Sequence, residues 1–382
     1  MNDIVAIGDH ASPRRDVLSV LWAITKVCSF HCSYCVYYKP LRGSEFSSRA
    51  ELLRAAQTLM RLGRPGYQIT LYGGEPTLHP HFEDLLAYFM TVKAPLELRM
   101  FTNGAQPAPF WERVVRITTG FHFLVIFSLH LEFVNFAKFK RAVEITAGGG
   151  MSIAVNFMFT ASHRDKARAA IAELYELRQR MPFFFGLNFP YTVSGEMGTD
   201  CTEEDLAWVE ETRRAFDAMP MPGHLRDPVI TRIVSGIARE RDGVRQELDP
   251  EESLRLLSEM HTPVYQGYHC CSGANVMFVE EDGAARGGVC DVSRFLGNLF
   301  TDSEIAIVQN MGVVRCTAAA CSSIENIPLP KFRDESEANT CMSEFRERAR
   351  DALYRTEAAR LGVDGPGVVF AQADRQGSAS AT

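Results

Sequence analysis

The sequence lacks any long hydrophobic run. No apolar stretch reaches the about 18 residues that a membrane-crossing helix needs, and residues 1–13 are polar without the apolar core of a signal peptide. A membrane-spanning or secreted protein is therefore excluded at this level, and we expect the chain to remain in the cytoplasm.

The sequence also lacks an excess of basic residues. It has 40 Lys and Arg residues against 47 Asp and Glu residues, which gives a net charge of −7 and a pI near 5.9. Proteins that wrap nucleic acid draw on clustered Lys and Arg. A tRNA or rRNA substrate is therefore disfavoured, and we expect neither nucleic acid nor a membrane among the partners.

The composition that remains is that of an ordinary globular enzyme. Hydrophobic residues make up 46% and charged residues 23% of the 382 residues. Single cores stop growing near roughly 250–300 residues, so this length predicts one large domain and a smaller one. No internal repeat is visible at solenoid periods.

The first half of the chain alternates short apolar runs with longer amphipathic ones, which is typical of βα units on a parallel sheet. The apolar character of the short runs predicts strands that are covered on both faces. The predicted strands are 18–25, 67–72, 96–101, 122–128, 152–159 and 183–189. The predicted helices are 48–62, 82–91, 109–116, 134–147 and 164–180.

Six βα units are too few to close an eight-stranded barrel, so we expect an α/β fold with an open, partial (β/α)6 barrel. Function in such a fold is carried by loops at the carboxyl ends of the strands. We divide the chain into a partial barrel at 14–200, a helical bridge at 201–260, a small α+β module with closely set cysteines at 261–328, and a C-terminal helix with a flexible tail at 329–382. The loop 191–200 is a candidate pocket lining.

Ten cysteines in a chain expected to be cytoplasmic point to metal or redox chemistry rather than to disulfides. Cys28, Cys32 and Cys35 lie within eight residues, directly after the first strand of the predicted barrel. Three thiolates can each bind one iron of a cubane cluster and leave the fourth iron open to an external molecule. A zinc knuckle that uses the intervening His31 is the alternative.

Small polar motifs follow the next strands, where the catalytic face of the barrel is expected. Tyr-Gly-Gly-Glu-Pro ends the second strand, and its glycines allow close backbone approach while its carboxylate can pair with an ammonium group. Each motif alone is as well explained by a turn or a cap. The residues concerned are Gly73, Gly74, Glu75, Asn103, Ser128, His130 and Asn156.

In this order behind a Cx3Cx2C loop, the motifs of about 18–190 resemble the radical S-adenosylmethionine (radical SAM) superfamily. The resemblance implies a 4Fe-4S cluster on Cys28, Cys32 and Cys35, and S-adenosylmethionine (SAM) bound to its open iron. It assigns Gly73, Gly74 and Glu75 to the methionyl amine. The further cofactor contacts that it implies are Tyr34, Asn103, Ser128 and Asn156. His130 and Glu132 are then catalytic candidates that face the substrate, although a scaffold role fits them equally well.

A second set of cysteines lies in the later module. Cys271, Cys290, Cys316 and Cys321 supply the four thiolates of an auxiliary 4Fe-4S cluster in a layout that resembles SPASM and twitch extensions. Two features depart from that layout: four residues separate the last two cysteines, and too few cysteines follow for a further cluster. Cys270 is an alternative to Cys271, and a structural zinc site is the alternative to the cluster.

The remaining cysteines, Cys201 and Cys341, have no motif around them. Free cysteines without a metal or a partner are usually buried as small apolar groups. We expect both to be structural thiols.

The resemblance implies that an electron from a reductase or flavodoxin-type donor splits SAM into methionine and a 5′-deoxyadenosyl radical. That radical abstracts hydrogen from an unreactive C–H bond, and the protein positions the carbon and excludes water. A fully ligated auxiliary cluster has no open iron, so we expect it to accept an electron from the substrate radical. Net oxidation or bond formation is the expected outcome.

Three functions compete. The first is tailoring of a small polar metabolite such as a sugar, a nucleoside or an amino-acid-derived natural product. The second is maturation of a ribosomal peptide by crosslinking, epimerisation or oxidation, and the third is a non-catalytic metal scaffold. Peptide maturases often have a leader-binding domain ahead of the cysteine loop, and only 27 residues precede Cys28 here, which favours the small molecule.

Overall fold

The structure is a computed structural model. It describes residues 4–8, 16–35, 45–189, 201–221, 236–241, 244–249, 252–253, 265–318, 321, 326 and 328–361. The candidate pocket loop 191–200 and the predicted tail lie outside the described residues.

The described strands fall into two sheets. They are β1 (Ile4–Gly8), β2 (Val17–Thr25), β3 (Gly66–Gly73), β4 (Leu96–Thr102), β5 (Phe123–His130), β6 (Ser152–Met158), β7 (Phe184–Asn188), β8 (Gly236–Arg241), β9 (Val244–Glu247), β10 (His269–Ser272), β11 (Val276–Val279), β12 (Ala284–Arg286), β13 (Phe295–Asn298), β14 (Gly312–Arg315) and β15 (Lys331–Phe332).

The described helices cover the outer face of the larger sheet or join the two sheets. They are α1 (Arg49–Met60), α2 (Phe82–Met90), α3 (Ala108–Ile117), α4 (Phe136–Gly148), α5 (Arg164–Arg180), α6 (Glu203–Asp217), α7 (Glu304–Asn310) and α8 (Glu335–Leu361), with short 3-10 turns at Pro76–Leu78 and Ala161–His163. No helix in these parts of the chain is long and apolar enough to cross a bilayer.

Strands β2 to β7 lie side by side in chain order and are parallel throughout. All six predicted strands and all five predicted helices are present, with ends shifted by a few residues at most. The sheet is open, so the predicted α/β partial barrel is confirmed.

The core of the barrel lies between the sheet and its helices. Phe127, Val155 and Phe157 belong to this core, together with Trp111 and Phe139 from the helices. Successive side chains of a strand face opposite sides. The residues that alternate with these core residues along β5 and β6 are half-buried and face the inner side of the sheet.

The later module does not form a sheet of its own. Strand β11 pairs in parallel with β2, with Val276 opposite Ser19 and Val279 opposite Trp22. Strands β12 and β13 then continue outward as antiparallel neighbours. The larger sheet therefore has nine strands in the order β13-β12-β11-β2-β3-β4-β5-β6-β7.

The smaller sheet joins distant parts of the chain in the order β14-β10-β15-β1-β8-β9. Two of its strands, β8 and β9, fall within 201–260, where the sequence predicts a helical bridge. The described residues there include helix α6, but β8 and β9 are strands, so the helical prediction is corrected for 236–241 and 244–247. The reason is tertiary: β8 pairs with β1, a strand that the sequence did not predict.

Helix α6 is fixed at its amino end by a buried carboxylate. Thr202 and Asp205 form a reciprocal capping box, and the Asp205 carboxylate also binds the Arg164 guanidinium through two oxygens at 2.5 Å. The Asp205 side chain is 2% exposed, and the hydrogen bond from Arg164 holds its pKa well below the usual range. The pair therefore connects α6 to the start of α5.

We predict that Asp205→Asn lowers the melting temperature by roughly 2–4 °C at neutral pH, because the cap and the ion pair are both weakened. The depressed pKa means that the contribution is complete above the ordinary Asp pKa and disappears as the pH falls through the folded-state pKa. Thermal unfolding at several pH values measures both effects. The control is Glu204→Gln, which removes an exposed partner of Arg168 and should change the midpoint by less than about 1 °C.

Candidate functional site

The three predicted cluster thiols lie together on the loop that follows β2. Cys32 is buried, and Cys28 and Cys35 are half-buried. The loop turns tightly, since the backbone N–H of Cys35 donates to the carbonyl of Cys32 at 3.1 Å. The N–H of Phe30 points at the Cys28 sulfur at 3.4 Å, which is a hydrogen bond that favours a thiolate.

The thiols of the loop influence one another's pKa. Burial raises the pKa of Cys28, and the neighbouring charges of Glu75 and Cys35 raise it further. Burial and the charges of Glu132, Cys35 and Cys28 raise the pKa of Cys32 to about 12. Without a cation, this loop therefore holds thiols, and a bound metal would supply the positive charge that three thiolates need.

The Gly-Gly-Glu segment fastens the base of the cysteine loop. The N–H groups of Gly74 and Glu75 donate to the carbonyls of Thr25 and Val27, both at 2.8 Å. A Cβ on Gly73 would lie 2.2 Å from the Thr25 oxygen, and one on Gly74 would lie 2.2 Å from the Val27 oxygen. Glycine is thus required here for the approach of the loop backbone to β3.

The Glu75 carboxylate is buried and satisfied by the protein. Its Oε1 accepts hydrogen bonds from the Thr77 N–H at 3.2 Å, the Thr77 hydroxyl at 2.6 Å and the Thr102 hydroxyl at 2.8 Å. Its Oε2 accepts from the Asn103 N–H at 2.6 Å. Burial raises the pKa of Glu75, and these four bonds act in the opposite direction. The side chain therefore joins the ends of β3 and β4.

Asn103 continues this connection into the cysteine loop. Its side-chain amide donates to the Ser29 hydroxyl at 3.2 Å and points at the Cys28 sulfur at 3.9 Å. Its amide oxygen accepts from the N–H of Ala105 at 3.0 Å. The side chain is 4% exposed, so it contacts the cluster loop directly.

The segment after β5 covers the other side of the cysteine loop. Glu132 accepts hydrogen bonds from the N–H of Ser33 at 2.8 Å and from the Ser33 hydroxyl. The Tyr34 hydroxyl lies 2.9 Å from Nδ1 of His130. Burial lowers the pKa of His130 to about 4, so its imidazole is neutral near pH 7. His130 and Glu132, the predicted catalytic pair, therefore contact the loop.

Aromatic rings also pack between the cysteine loop and the segment at the end of β5. Phe30 stacks on Phe133 with centroids 5.8 Å apart and meets His130 edge-on at 6.3 Å. His31 is exposed and packs edge-on against Phe133.

Polar groups line the inner face of the sheet at its carboxyl edge. Ser128 and Asn156 are opposite each other on β5 and β6, and both are half-buried. The Asn188 side chain donates to the amide oxygen of Asn156. Two of the predicted cofactor contacts, Ser128 and Asn156, are thus neighbours, and Asn188 joins them without having been predicted.

The second thiol set is centred on Cys270 rather than on Cys271. Burial raises the pKa of Cys270 to about 12, and the other groups that act on it are Lys331 and the thiols of Cys290, Cys321 and Cys316. Neighbours on a strand face opposite sides, so Cys271 on β10 faces away from this set. The placement of Cys271 in the predicted set is corrected for this reason.

Cys271 instead lies in the core beneath α8. It is fully buried and its sulfur lies 3.5 Å from the carbonyl oxygen of Ala338. A hydrogen bond with the Cys341 thiol, followed by burial, raises the pKa of Cys271. Cys341 and Cys201 are half-buried against the main core, in keeping with structural thiols.

A buried hydroxyl points to a ligand among the second set. The Tyr265 side chain is 1% exposed, and its hydroxyl has no hydrogen-bond partner among the described residues. Burial raises the pKa of Tyr265, and Cys321 and Cys270 raise it further, so these thiols are near neighbours of the ring. An unpaired buried hydroxyl is costly, and a sulfur of a bound cluster would accept a hydrogen bond from it.

A single metal ion and a cubane cluster place different demands on the spacing of thiols. Among the residues that the structure describes, no group of three or more His, Cys, Asp or Glu side chains converges tightly enough to chelate one metal ion. Thiolates on one zinc ion lie about 3.8 Å apart, because each binds the metal at roughly 2.3 Å. A cubane presents a separate iron to each thiolate and so accepts a wider spacing.

An ion pair connects the later module to the first thiol loop. Lys26, at the base of the cysteine loop, binds Glu281 and lies 4.0 Å from Glu280 in the β11–β12 turn. Sequence reasoning missed this contact, as it missed Ser33 and Asn188. Two features of the sequence could have indicated these contacts: the acidic turn between β11 and β12, and the asparagine at the end of β7.

Part of the chain is similar to a known protein family and to curated enzymes. Residues 22–147, about a third of the chain, match the Radical SAM superfamily. The GTP 3′,8-cyclase of Haemophilus ducreyi is 34% identical over 85 residues, which cover 22% of this chain and 24% of that enzyme. The enzyme of the same name from Klebsiella pneumoniae is 34% identical over 95 residues. The matched regions span about a quarter of these curated relatives.

Solved structures share the fold over a longer range. Native anSMEcpe with bound AdoMet superposes with a TM-score of 0.52 at 14% identity, covering 88% of this chain and 99% of that one. The complex of anSMEcpe with AdoMet and Cp18Cys peptide gives a TM-score of 0.50 at 14% identity over 89% of this chain and 98% of that one. At this identity the likeness concerns the fold.

We predict that Gly74→Ala loses at least roughly half of the iron that the wild-type chain binds after anaerobic reconstitution. The added Cβ would meet the Val27 carbonyl, which belongs to backbone and moves only with the cysteine loop. Iron per folded chain is the measurement. The control is Gly148→Ala, whose Cβ meets nothing within 4 Å, and equal iron in the two variants would contradict the assigned role of Gly74.

Proposed function

We propose that this chain, whose residues 22–147 form a radical SAM domain, is an enzyme that cleaves SAM and abstracts hydrogen from a small polar metabolite. The observation that carries the proposal is the cysteine loop. Three cysteines of one loop lie at the carboxyl edge of a parallel sheet, and the loop is held from one side by the Gly-Gly-Glu segment and from the other by Glu132. Three ligands leave one iron of a cubane open.

A cluster on these thiols would supply the electron that splits SAM into methionine and a 5′-deoxyadenosyl radical. The role of the chain is to fix the loop and to exclude water. Gly73, Gly74 and Glu75 act by holding the loop against β3, and Asn103 acts by donating toward Cys28. The Glu75 carboxylate already accepts four hydrogen bonds, so its contribution to the methionyl amine is indirect.

His130 and Glu132 serve as positioning residues in this proposal. Each bonds to a residue between the last two cysteines of the loop, and neither is required to reach the substrate. Tyr34 is held by His130 beside the thiols and is a cofactor contact in this proposal. Ser128, Asn156 and Asn188 form the polar patch for the ribose, for the carboxylate or for the substrate.

The polar inner face supports a hydroxyl-rich or amide-bearing small molecule. Amide and hydroxyl groups are the partners that a sugar or nucleoside needs. The local similarity to GTP 3′,8-cyclases, which act on a nucleotide by their name, supports the nucleoside among these choices. The electron donor in this proposal is a reductase or flavodoxin-type protein, and neither nucleic acid nor a membrane takes part.

Maturation of a peptide is the second candidate. The fold likeness to anSMEcpe, a protein solved with a Cp18Cys peptide, extends over most of both chains. At 14% identity this likeness concerns the fold alone. For this reason, short peptides are included among the compounds tested as substrates below.

The proposal includes an auxiliary 4Fe-4S cluster in a twitch-like module, bound by Cys270, Cys290, Cys316 and Cys321. Four thiolates complete a cubane, which leaves electron transfer as its role. Cys316 and Cys321 pack against a small apolar cluster that contains Tyr265 and Tyr268, which keeps solvent from this side. Electron acceptance from the substrate radical would make the reaction a net oxidation or a bond formation.

We predict that the reconstituted chain, given SAM and a reductant without oxygen, forms 5′-deoxyadenosine. Cys32→Ala should lower the rate at least about 100-fold, because the cofactor carries the hard step. Cys201→Ala is the matched control and should keep the rate. Product formation is followed by mass spectrometry with nucleotides, sugars, amino acids and short peptides as separate arms.

The substrate class is the one whose addition increases the formation of 5′-deoxyadenosine and whose added compound itself loses mass. Stimulation by peptides alone would select the second candidate. Wild-type protein that binds iron and forms no 5′-deoxyadenosine would leave the metal scaffold as the function.

We predict that Cys270→Ala lowers the iron content from about eight to about four per chain, whereas Cys271→Ala leaves it near eight. The two variants remove adjacent thiols of β10 that face opposite sides. Iron and acid-labile sulfide per folded chain are the measurements. Loss of iron from Cys271→Ala alone would reverse the assignment, and zinc in place of iron would remove the auxiliary cluster from the proposal.

A further inference from the structure

A buried lysine lies beside the second thiol set. Lys331 on β15 is the direct antiparallel partner of Cys270 on β10. Directly opposed residues of an antiparallel pair project to the same face of the sheet, with Cβ atoms about 4.5–5.5 Å apart. The ammonium group of Lys331 therefore belongs to the face that carries Cys270 and not to the face of Cys271.

The surroundings of Lys331 offer hydrogen-bond acceptors and an aromatic face to its side chain. The residue is 2% exposed, and its Nζ donates to the backbone carbonyls of Asn326 and Leu329, the latter at 2.7 Å. Its Nζ also lies 4.9 Å from the ring centroid of Tyr265. Carbonyl oxygens and an aromatic face both interact favourably with an ammonium group.

The same neighbours connect the lysine to the thiol segments. Asn326 exchanges hydrogen bonds with the backbone of Val289, the residue before Cys290, at 2.8 and 3.2 Å. Tyr265 lies near Cys321 and Cys270. A buried ammonium is costly unless negative charge lies close by, and the four thiols supply that charge when they bind metal.

We propose that Lys331 is a built-in counter-charge that raises the reduction potential of a cluster held by Cys270, Cys290, Cys316 and Cys321. This inference rests on the proposed function, which assigns a cluster to these thiols. Reduction makes a four-thiolate cluster more negative by one charge, and a fixed cation in a dry site stabilises the reduced form more than the oxidised form.

The consequence concerns the final step of the reaction. In that step the substrate radical gives up one electron and one proton; the electron goes to the auxiliary site and the proton goes to water. A higher potential at that site favours this direction of transfer. Lys331 acts through the cluster and is a positioning and tuning residue rather than a catalytic one.

The test uses the full-length chain with Cys28, Cys32 and Cys35 replaced by alanine, so that the auxiliary site alone binds iron. Its midpoint potential is measured by redox titration followed by electron paramagnetic resonance. Lys331→Gln keeps hydrogen-bond donors for the two carbonyls and removes the charge, so the potential should shift negative. Lys331→Arg keeps the charge and should restore the potential toward wild type.

Lys140→Gln is the control, since it removes a surface cation that pairs with Glu173 on another part of the barrel, and it should leave the potential unchanged. An unchanged potential in Lys331→Gln with about four irons bound would overturn the inference and leave the proposed function intact. Failure of the triple cysteine variant itself to bind iron would overturn the auxiliary cluster, and the inference with it. An equal negative shift in Lys331→Gln and Lys331→Arg would reduce Lys331 to a packing role.

Discussion

The fold and the candidate site both depend on one buried carboxylate. Glu75 accepts four hydrogen bonds from Thr77, Thr102 and Asn103, while its own N–H and that of Gly74 hold the backbone of the cysteine loop. A carboxylate in a dry site is stable only when its oxygens are satisfied in this way. The loop after β2, the end of β3 and the end of β4 are thereby fixed as a unit, and the thiols are placed before any metal binds.

The two thiol sets belong to one continuous structure. Strand β11 adds to the barrel sheet beside β2, and the turn that follows it reaches back to Lys26 at the base of the first loop. Strand β10, which precedes β11 by only a few residues, carries Cys270 into the smaller sheet. A rigid covalent and hydrogen-bonded path therefore connects both candidate metal sites.

The barrel strands were predictable because each is a nearly continuous apolar run, and such runs mark strands that are buried on both faces. The antiparallel pair β8 and β9 was not predictable, because β8 is stabilised by pairing with β1 more than 200 residues earlier in the chain. The first thiol set follows from local spacing. The roles of Glu75 and Glu132 do not, since their partners come from other strand ends.

The pairing of β10 shows how strand alignment decides which of two adjacent thiols joins the second thiol set. Cys270 and Cys271 are chemically identical, and only the hydrogen-bond alignment of β10 with β14 and β15 separates them. A slip of the alignment by one residue would exchange their environments: Cys271 would face the second thiol set, and Cys270 would lie in the core beneath α8. Insertions or deletions next to this strand would thus change which sulfur faces the second thiol set, without altering any cysteine.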